Sequence, residues 1–435
     1  MPYQAGKRLP GERASKIGHL DVLKSGFVKD LISSFKAYTP QTATEPGWAS
    51  IETNSKPLSI VFGIDGSYQP IPSEEVPYRE IAFVKTALLR IDERSLSKID
   101  KDAPHPMALR DLMQDSAIHH STAFPLKNVT IPGYSTYDAV RRILYESLKD
   151  KDLEGQVMET LKWIVYEKWD ENEKELPKFE CPHCSENLAT LPYDAELGNC
   201  PNCKKEIYIT DMLGFHQVML KDSAPEEIAR DYMTIHETLL LFTGVRFFWE
   251  RNKKLLSECL FVKDGPLSIR AQYSKLVAPI RRFLDFAKKN GVEVHIVGQE
   301  KSGAFFDHLQ MIRQYLPNMS YFLPDDKYIR SEVQGRPDKG QAYGKDTNWG
   351  AKLFLRLTDY DSVVLNVPTG SFNQNPLYTD LIGIDRIMAT IPRLLSHRYE
   401  GALLPVQLAN NIASLSTYPS AKILKIFSES SVLSG

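Results

Sequence analysis

Two apolar segments of the chain end in the same pair of residues. Residues 59–64 are apolar and partly β-branched, as in a buried strand, and Asp65-Gly66-Ser67 follows them directly. Residues 259–263 form a second such segment, which Asp264 and Gly265 follow. A carboxylate at the end of a core strand is unfavourable unless a partner compensates its charge. We therefore interpret the two aspartates as candidate metal ligands, although Asp-Gly is also a common turn sequence.

The spacing of apolar residues predicts the other elements. Helical spacing predicts helices at residues 25–35, 135–174, 225–256, 274–289, 377–395 and 404–415. Runs of strand-forming residues predict strands at residues 80–91, 292–298, 351–358 and 362–367. Residues 324–350 are polar and predict a long flexible loop. Because strands and helices alternate in the C-terminal half, we predict an α/β fold.

Four of the five cysteines form two Cys-x-x-Cys pairs. Cys181 and Cys184 make up the first pair, Cys200 and Cys203 the second, and fifteen residues separate them. This spacing is typical of a structural Zn²⁺ site with four thiolate ligands and no open position. Such a closed site serves folding, docking or nucleic-acid contact and does no catalysis. Paired cysteines of this kind also favour a reducing compartment over disulfide formation.

Charge and hydropathy exclude several function classes. The 435-residue chain has a formal net charge of −2, so any nucleic-acid contact must come from local basic patches. No segment is long and apolar enough to span a membrane, and the N-terminus lacks the apolar core of a signal peptide. We therefore expect a soluble cytoplasmic protein. The segment Gly340 to Asp346 lacks the glycine spacing and the Ser/Thr of a phosphate-binding loop, so no ATPase site is evident.

The remaining candidate chemistry is acidic. Glu237 lies on the predicted helix that precedes the second Asp-Gly, and Glu250 and Glu258 are alternatives on the same stretch. Three carboxylates that converge from two strands and a helix are suited to hold Mg²⁺ or Mn²⁺. Such ions activate water and stabilise charge during phosphodiester hydrolysis. Lys301 follows the predicted strand at residues 292–298 and would reach a phosphate from there.

The order of these motifs resembles that of the NurA nuclease domain. The matching residues are Asp65-Gly66-Ser67, the helical Glu237, Asp264-Gly265 and the segment from Val297 to Ser302, within residues 56–110 and 213–420. In the C-terminal signature of that family, Gly401, Pro405 and Ala409 match, whereas Leu404 and Asn410 replace a tyrosine and a histidine. The resemblance therefore puts in question any tyrosine or histidine role at these two positions.

The resemblance implies a fold, an activity and partners. The fold would be an RNase H-like core with a mixed central sheet, and the activity Mn²⁺- or Mg²⁺-dependent degradation of DNA. Asp65, Glu237 and Asp264 would hold the ion, Lys301 would assist at the phosphate, and Ser67 and Asn410 would contact substrate. A homodimer would work with a HerA-like hexameric ATPase in DNA end processing or antiviral defence. The alternative is a zinc-ribbon adaptor, catalytically weak or inactive, that docks on a DNA translocase or on DNA.

The predicted domain organisation places the cysteines in an insertion. We predict an N-terminal extension at residues 1–55, two parts of the nuclease core at 56–177 and 213–425, a zinc ribbon at 178–212, and a tail at 426–435. The amphipathic helix at residues 25–35 is a candidate element for docking the ATPase, although packing against its own domain is the alternative.

Overall fold

The computed structural model describes residues 18–36, 47–74, 76–92, 107, 117–336, 342–395, 402–416 and 419–430. The chain forms two compact units, residues 1–43 and 44–435. In the first unit, helix α1 (Gly18–Lys24) precedes helix α2 (Gly26–Ser34), which is the helix predicted at residues 25–35. Ser25 caps α2 by accepting a hydrogen bond from the Val28 N–H, and Phe27 and Ile32 are exposed on its surface.

A nine-stranded mixed sheet dominates the described part of the second unit. Its strand order is β1-β9-β10-β11-β8-β7-β2-β3-β4, and β2, β7 and β8 run parallel to one another. The strands are β1 (Trp48–Ser50), β2 (Ile60–Pro72), β3 (Glu80–Asp92), β4 (Ala117–Lys127), β7 (Cys259–Asp264), β8 (His295–Glu300), β9 (Ser320–Phe322), β10 (Ala351–Arg356) and β11 (Ser362–Val367). β5 (Leu197–Asn199) and β6 (Glu206–Tyr208) form a separate hairpin. The prediction of an α/β fold with a mixed central sheet is confirmed.

Helices cover both faces of this sheet. The helices of the second unit are α3 (Thr136–Ser147), α4 (Gln156–Val165), α5 (Glu227–Arg251), α6 (Lys253–Leu256), α7 (Val277–Lys289), α8 (Ala304–Ile312), α9 (Asp326–Tyr328), α10 (Ile384–Thr390), α11 (Leu404–Ala413) and α12 (Ser420–Ser428). α5 and α11 both pack against β2 and β3. Ile64 belongs to the same apolar core as α5, and Val61 to the core of the opposite face, together with Val406 of α11. In the described part of the chain, every helix is too short or too polar to cross a membrane.

The course of β2 differs from its prediction. The strand does not end at Asp65 but continues to Pro72, because β3 pairs with it along its whole length, from Ile60 opposite Asp92 to Pro72 opposite Glu80. Only the parallel pairing with β7 stops near the aspartate, at Ile64 opposite Lys263. The Asp-Gly sequence at this position is therefore part of a strand and not a turn.

Several other elements differ from the prediction based on apolar spacing. β4 was not predicted, and β1 joins the sheet by pairing with β9, although residues 1–55 were predicted to be an extension. The helix predicted at residues 135–174 is divided into α3 and α4, and Gly155 has a positive φ of 68° just before α4 begins. The predicted loop at residues 324–350 contains α9 and a π-helical turn at Ile329–Val333.

Candidate active site and metal centre

Strand register brings the two predicted aspartates together. Ile64 of β2 lies opposite Lys263 of β7, so Asp65 and Asp264 are the next residues on two parallel, adjacent strands. Adjacent strands are separated by only about 4.8 Å. Both aspartates line a cleft of about 390 Å³, and Glu237 of α5 lines it too. The structure therefore places all three predicted carboxylates around one cleft.

Gly66 explains how α5 comes so close to β2. A Cβ atom at this position would lie 2.7 Å from Glu237 Oε1 and 2.7 Å from Met233 Cγ. A larger residue would therefore displace the Glu237 carboxylate and the Met233 side chain from their present positions. The glycine of the Asp-Gly pair thus serves close packing at the site and not a turn conformation.

Each carboxylate has one oxygen that is already bound within the protein. Asp65 Oδ1 accepts a hydrogen bond of 2.7 Å from the Gly66 N–H, and Glu237 Oε2 forms an ion pair of 2.7 Å with Lys263 Nζ. Asp264 Oδ1 lies 2.8 Å from Lys301 Nζ. Asp65 Oδ2 and Asp264 Oδ1 are both buried without a hydrogen-bond partner among the described residues, and of the two only Asp264 Oδ1 has an ion pair. An unpartnered anionic oxygen that faces a cleft suits a cation, so this donor set fits a divalent metal ion.

The electrostatic environment of the three carboxylates also favours a bound cation. Asp65 is 3% exposed, and burial raises its pKa well above the usual value, with the negative charges of Asp264 and Glu237 acting in the same direction. Lys301 and the Gly66 N–H act against this rise. Burial also raises the pKa of Glu237, against the opposing effect of Lys263. The cluster is therefore short of positive charge, which a bound cation would supply.

Lys263 is the residue of the cleft that the sequence analysis missed. Its side chain is 3% exposed, and its Nζ donates to the backbone carbonyl oxygen of Asp264 at 2.7 Å in addition to its ion pair with Glu237. The available signal was a lysine within an otherwise apolar strand, directly before Asp-Gly. Such a lysine must be paired when buried, and an acidic neighbour is its usual partner.

Two arginines add positive charge to the same cleft. Arg230 and Arg270 line it, and Arg270 Nη1 lies 3.1 Å from Asp231 Oδ2. The Arg270 side chain is 52% exposed, so it is accessible to a ligand in the cleft, whereas Asp231 is buried beneath it. Both arginines pair with Asp231, and they are cations of the cleft that a phosphate group could contact.

The other predicted site residues lie at various distances from the cleft. Lys301 is at its border with a side chain that is 33% exposed. Ser67 accepts a hydrogen bond of 3.2 Å from the Leu415 N–H, and Asn410 is exposed on α11, but neither lines the cleft. Of the two alternative glutamates, Glu250 is exposed beside Arg246, and Glu258 pairs with Arg386 at the opposite end of β7 from Asp264.

The four cysteines form a compact cluster. Within the described residues, they are the only set of three or more His, Cys, Asp or Glu whose ligand atoms all lie within 4.8 Å of one another. The three cleft carboxylates exceed that spacing, so binding an ion there requires a side chain to move. Asp264 is the ligand whose side chain is free to move, because it is 28% exposed whereas Asp65 and Glu237 are buried.

The sulfur positions match a tetrahedral site. Cys181 Sγ lies 3.8 Å from Cys203 Sγ, and Cys184 Sγ lies 3.9 Å from Cys200 Sγ. Zinc–sulfur bonds of about 2.3 Å in a tetrahedron place the sulfurs about 3.8 Å apart. The backbone hydrogen bond from the Glu186 N–H lowers the pKa of the Cys184 thiol to about 7, which favours the thiolate that a metal binds. The cluster could therefore hold a structural metal such as zinc.

The two cysteine pairs have the same local backbone. After each pair, the chain turns through a residue with positive φ, Ser185 at 58° and Lys204 at 61°. Their N–H groups donate to the carbonyl oxygens of Cys181 and Cys200, at 2.9 and 3.0 Å. This repeated turn directs both sulfurs of a pair to one side, as four-cysteine coordination requires.

The cysteine module, residues 178–212, is packed into the core of the second unit. Cys181 and Cys200 are fully buried in the same apolar cluster as α3, α4 and α5. The Tyr137 hydroxyl of α3 donates to the Pro182 carbonyl oxygen at 2.7 Å. Arg141 of α3 forms a buried bidentate pair with Asp211, at 2.8 and 2.9 Å. The module therefore shares one apolar core with α3, α4 and α5.

Comparison with known proteins adds no family assignment. No protein-family model matches the chain, and no curated protein matches it significantly. The resemblance to the NurA domain therefore depends on the order of the motifs and the residues that line the cleft.

Proposed function

We propose that this protein is a divalent-metal-dependent DNA nuclease of the NurA type, with an RNase H-like core. The observation that carries the proposal is the buried, unpartnered Oδ2 of Asp65 in a cleft that Glu237 and Asp264 share. Burying a carboxylate oxygen without a partner is unfavourable, and a cation in the cleft would compensate it. We propose Mn²⁺ or Mg²⁺ as that cation, because carboxylate oxygens are the ligands that both ions prefer.

The residues around the cleft have separate roles in this proposal. Asp65, Glu237 and Asp264 would hold the ion, which when bound activates water and neutralises charge on a phosphodiester. Lys301, at the exposed border, would bind a phosphate oxygen once Asp264 turns towards the ion. Arg230 and Arg270 line the cleft and would hold neighbouring phosphates of the strand. Ser67 and Asn410 lie outside the cleft lining, so any substrate contact by them would be peripheral.

The proposed partners follow from the NurA resemblance and from what the chain lacks. A nuclease with a net charge of −2 and no evident phosphate-binding loop has neither a strong general attraction for duplex DNA nor a motor of its own. A HerA-like hexameric ATPase that feeds DNA to a homodimer of this chain would supply both. The proposed roles are DNA end processing or antiviral defence, with Zn²⁺ in the cysteine module as a structural ion.

The experiment compares two glutamates of the same helix. Glu237→Gln removes a proposed ligand in the cleft, whereas Glu250→Gln changes an exposed glutamate of α5 outside it. We expect Glu237→Gln to lower the rate of Mn²⁺-dependent degradation of linear DNA by at least about 100-fold. We expect Glu250→Gln to retain the wild-type rate. Equal rates for the two variants would refute the assignment of the site.

The alternative, a zinc-ribbon adaptor, has one specific observation in its favour. Among the described residues, only the cysteines are already arranged at metal-binding distances, whereas two of the cleft carboxylates are paired with lysines. An adaptor would bind one Zn²⁺ per chain, show no Mn²⁺ binding that depends on Asp65, and leave DNA intact. Metal titration of the wild type and of Asp65→Asn separates the two functions.

A further inference from the structure

The ammonium group of Lys263 lies among the proposed metal ligands and limits the number of divalent ions that they can bind. Its ammonium group is 2.7 Å from Glu237 Oε2 and 2.7 Å from the Asp264 carbonyl oxygen. The side chains of Lys263 and Glu237 are 3% and 4% exposed. The ammonium group is thus held on two sides within the protein interior, and moving it into solvent would leave Glu237 buried without a partner.

The oxygens that remain are sufficient for one ion. Lys263 takes one oxygen of Glu237, Lys301 takes one of Asp264, and the Gly66 N–H takes one of Asp65. Among the described residues, each carboxylate is left with a single oxygen that has neither an ion-pair nor a hydrogen-bond partner: Asp65 Oδ2, Glu237 Oε1 and Asp264 Oδ2. Three oxygens, completed by water and a phosphate oxygen, form a usual ligand set for one Mg²⁺ or Mn²⁺. A pair of ions about 4 Å apart needs further oxygens to bridge and complete both.

The two lysines differ in how easily they can be displaced. Lys301 is 33% exposed and pairs with the partly exposed Asp264, so an incoming ion can displace it towards solvent. Lys263 has no comparable route, because both it and its partner are buried. A second dication next to Glu237 would meet a fixed positive charge at short range, where repulsion in a partly buried site is strong.

We propose that Lys263 occupies the place beside Glu237 that a second divalent ion would take, so that the cleft binds one ion per chain. This inference depends on the proposed function, since it concerns the same carboxylates. Lys263 would act as a positioning residue, because it holds Glu237 with Oε1 towards Gly66 and the cleft. The resident ammonium charge would also compensate part of the acidic cluster before any ion arrives.

The test counts Mn²⁺ ions on zinc-loaded full-length protein, by electron paramagnetic resonance of free Mn²⁺ during a titration. We expect one Mn²⁺ per chain for the wild type and none at this site for Asp65→Asn. In Lys263→Met and Lys263→Gln, which remove the charge, we expect a second Mn²⁺ per chain. Lys352→Met is the matched control, because Lys352 is equally buried against a different carboxylate, Glu300, at 2.5 Å. It should still bind one Mn²⁺.

The outcomes separate this inference from the proposed function. Two Mn²⁺ per wild-type chain, both lost in Asp65→Asn, would overturn the inference and leave the nuclease proposal standing. A folded Lys263 variant with wild-type zinc content that still binds one Mn²⁺ would also overturn it. No Asp65-dependent Mn²⁺ binding at all would defeat both. If neither Lys263 variant folds, the wild-type count decides: one ion supports the inference, and two ions overturn it.

Discussion

Asp65 is the residue at which function and stability oppose each other. Its carboxyl is buried, lies near two other acids, and has an oxygen without a partner. Because its pKa is raised above the ordinary 3.8, the folded protein binds this proton more tightly than the unfolded chain does. Ionising the group as the pH rises from 3.8 to the raised pKa therefore lowers the free energy of unfolding. This group therefore makes the fold less stable at neutral pH than at pH 4.

We therefore predict that Asp65→Asn stabilises the protein while it abolishes nuclease activity. Without added Mn²⁺ at pH 7, the free energy of unfolding in urea should rise by about 1–3 kcal/mol. The gain should shrink towards pH 4, where the wild-type carboxyl is protonated. Asp211→Asn is a control of opposite sign, because it breaks the buried pair with Arg141 and should destabilise by about 3 kcal/mol or more. A lower stability of Asp65→Asn at pH 7 would contradict the prediction.

At the scale of elements, apolar spacing predicts a strand or helix well where the element depends on its own sequence. It fails where contacts with residues distant in sequence set the element's extent. Apolar spacing located β7 and α11 closely, because both are short and uniformly apolar on the buried side. The pattern could not show that β2 continues past Asp65, since the pairing with β3 maintains polar residues such as Ser67 and Gln69 in a strand. Lys263 was missed for a similar reason: its partner Glu237 lies on another element, and only the fold brings them together.

Strand β2 and helix α11 meet at a contact that only glycine permits. A Cβ at Gly63 would collide with the Pro405 carbonyl oxygen, a backbone atom that cannot turn aside. We predict that Gly63→Ala lowers the free energy of unfolding by about 1–3 kcal/mol, because α11 must shift away from the sheet. Gly47→Ala, with nothing within 4 Å of the added Cβ, should change it by less than about 0.5 kcal/mol. Equal urea midpoints for the two variants would show that α11 does not pack as described.

At the scale of the whole molecule, the cysteine module supports the cleft from a distance. The spacing of the cysteines predicted their cluster, because two Cys-x-x-Cys turns carry most of the geometry themselves. It did not predict that Cys181 and Cys200 would be buried in the same core as α5, which carries Glu237. That packing depends on contacts such as the one between Arg141 and Asp211, which no local pattern shows. Disruption of the cysteine cluster should therefore affect the core of the second unit.

We predict that Cys200→Ala lowers the melting temperature by roughly 10 °C or more, because metal binding and folding are coupled. The proposed nuclease activity should fall with it, since Glu237 lies on a helix of the same apolar core. Cys259→Ala is the control, because this isolated buried thiol of β7 belongs to no metal cluster, and the shift should be roughly 3 °C or less. Zinc content and the melting curve of both variants provide the measurement. Similar melting temperatures would show that the cysteine module folds independently of the core.

The position of the cysteine module in the chain also determines when the cleft is completed during synthesis. The ribosome adds Asp65 first, then the four cysteines, and only afterwards Glu237 and Asp264. A nascent chain thus carries an incomplete set of acids throughout the time in which the module is made. Because α5 and the module share one apolar core, the last two acids join a core to which the cysteines already belong. Translation order therefore delays completion of the acidic cleft until 264 of the 435 residues have been made.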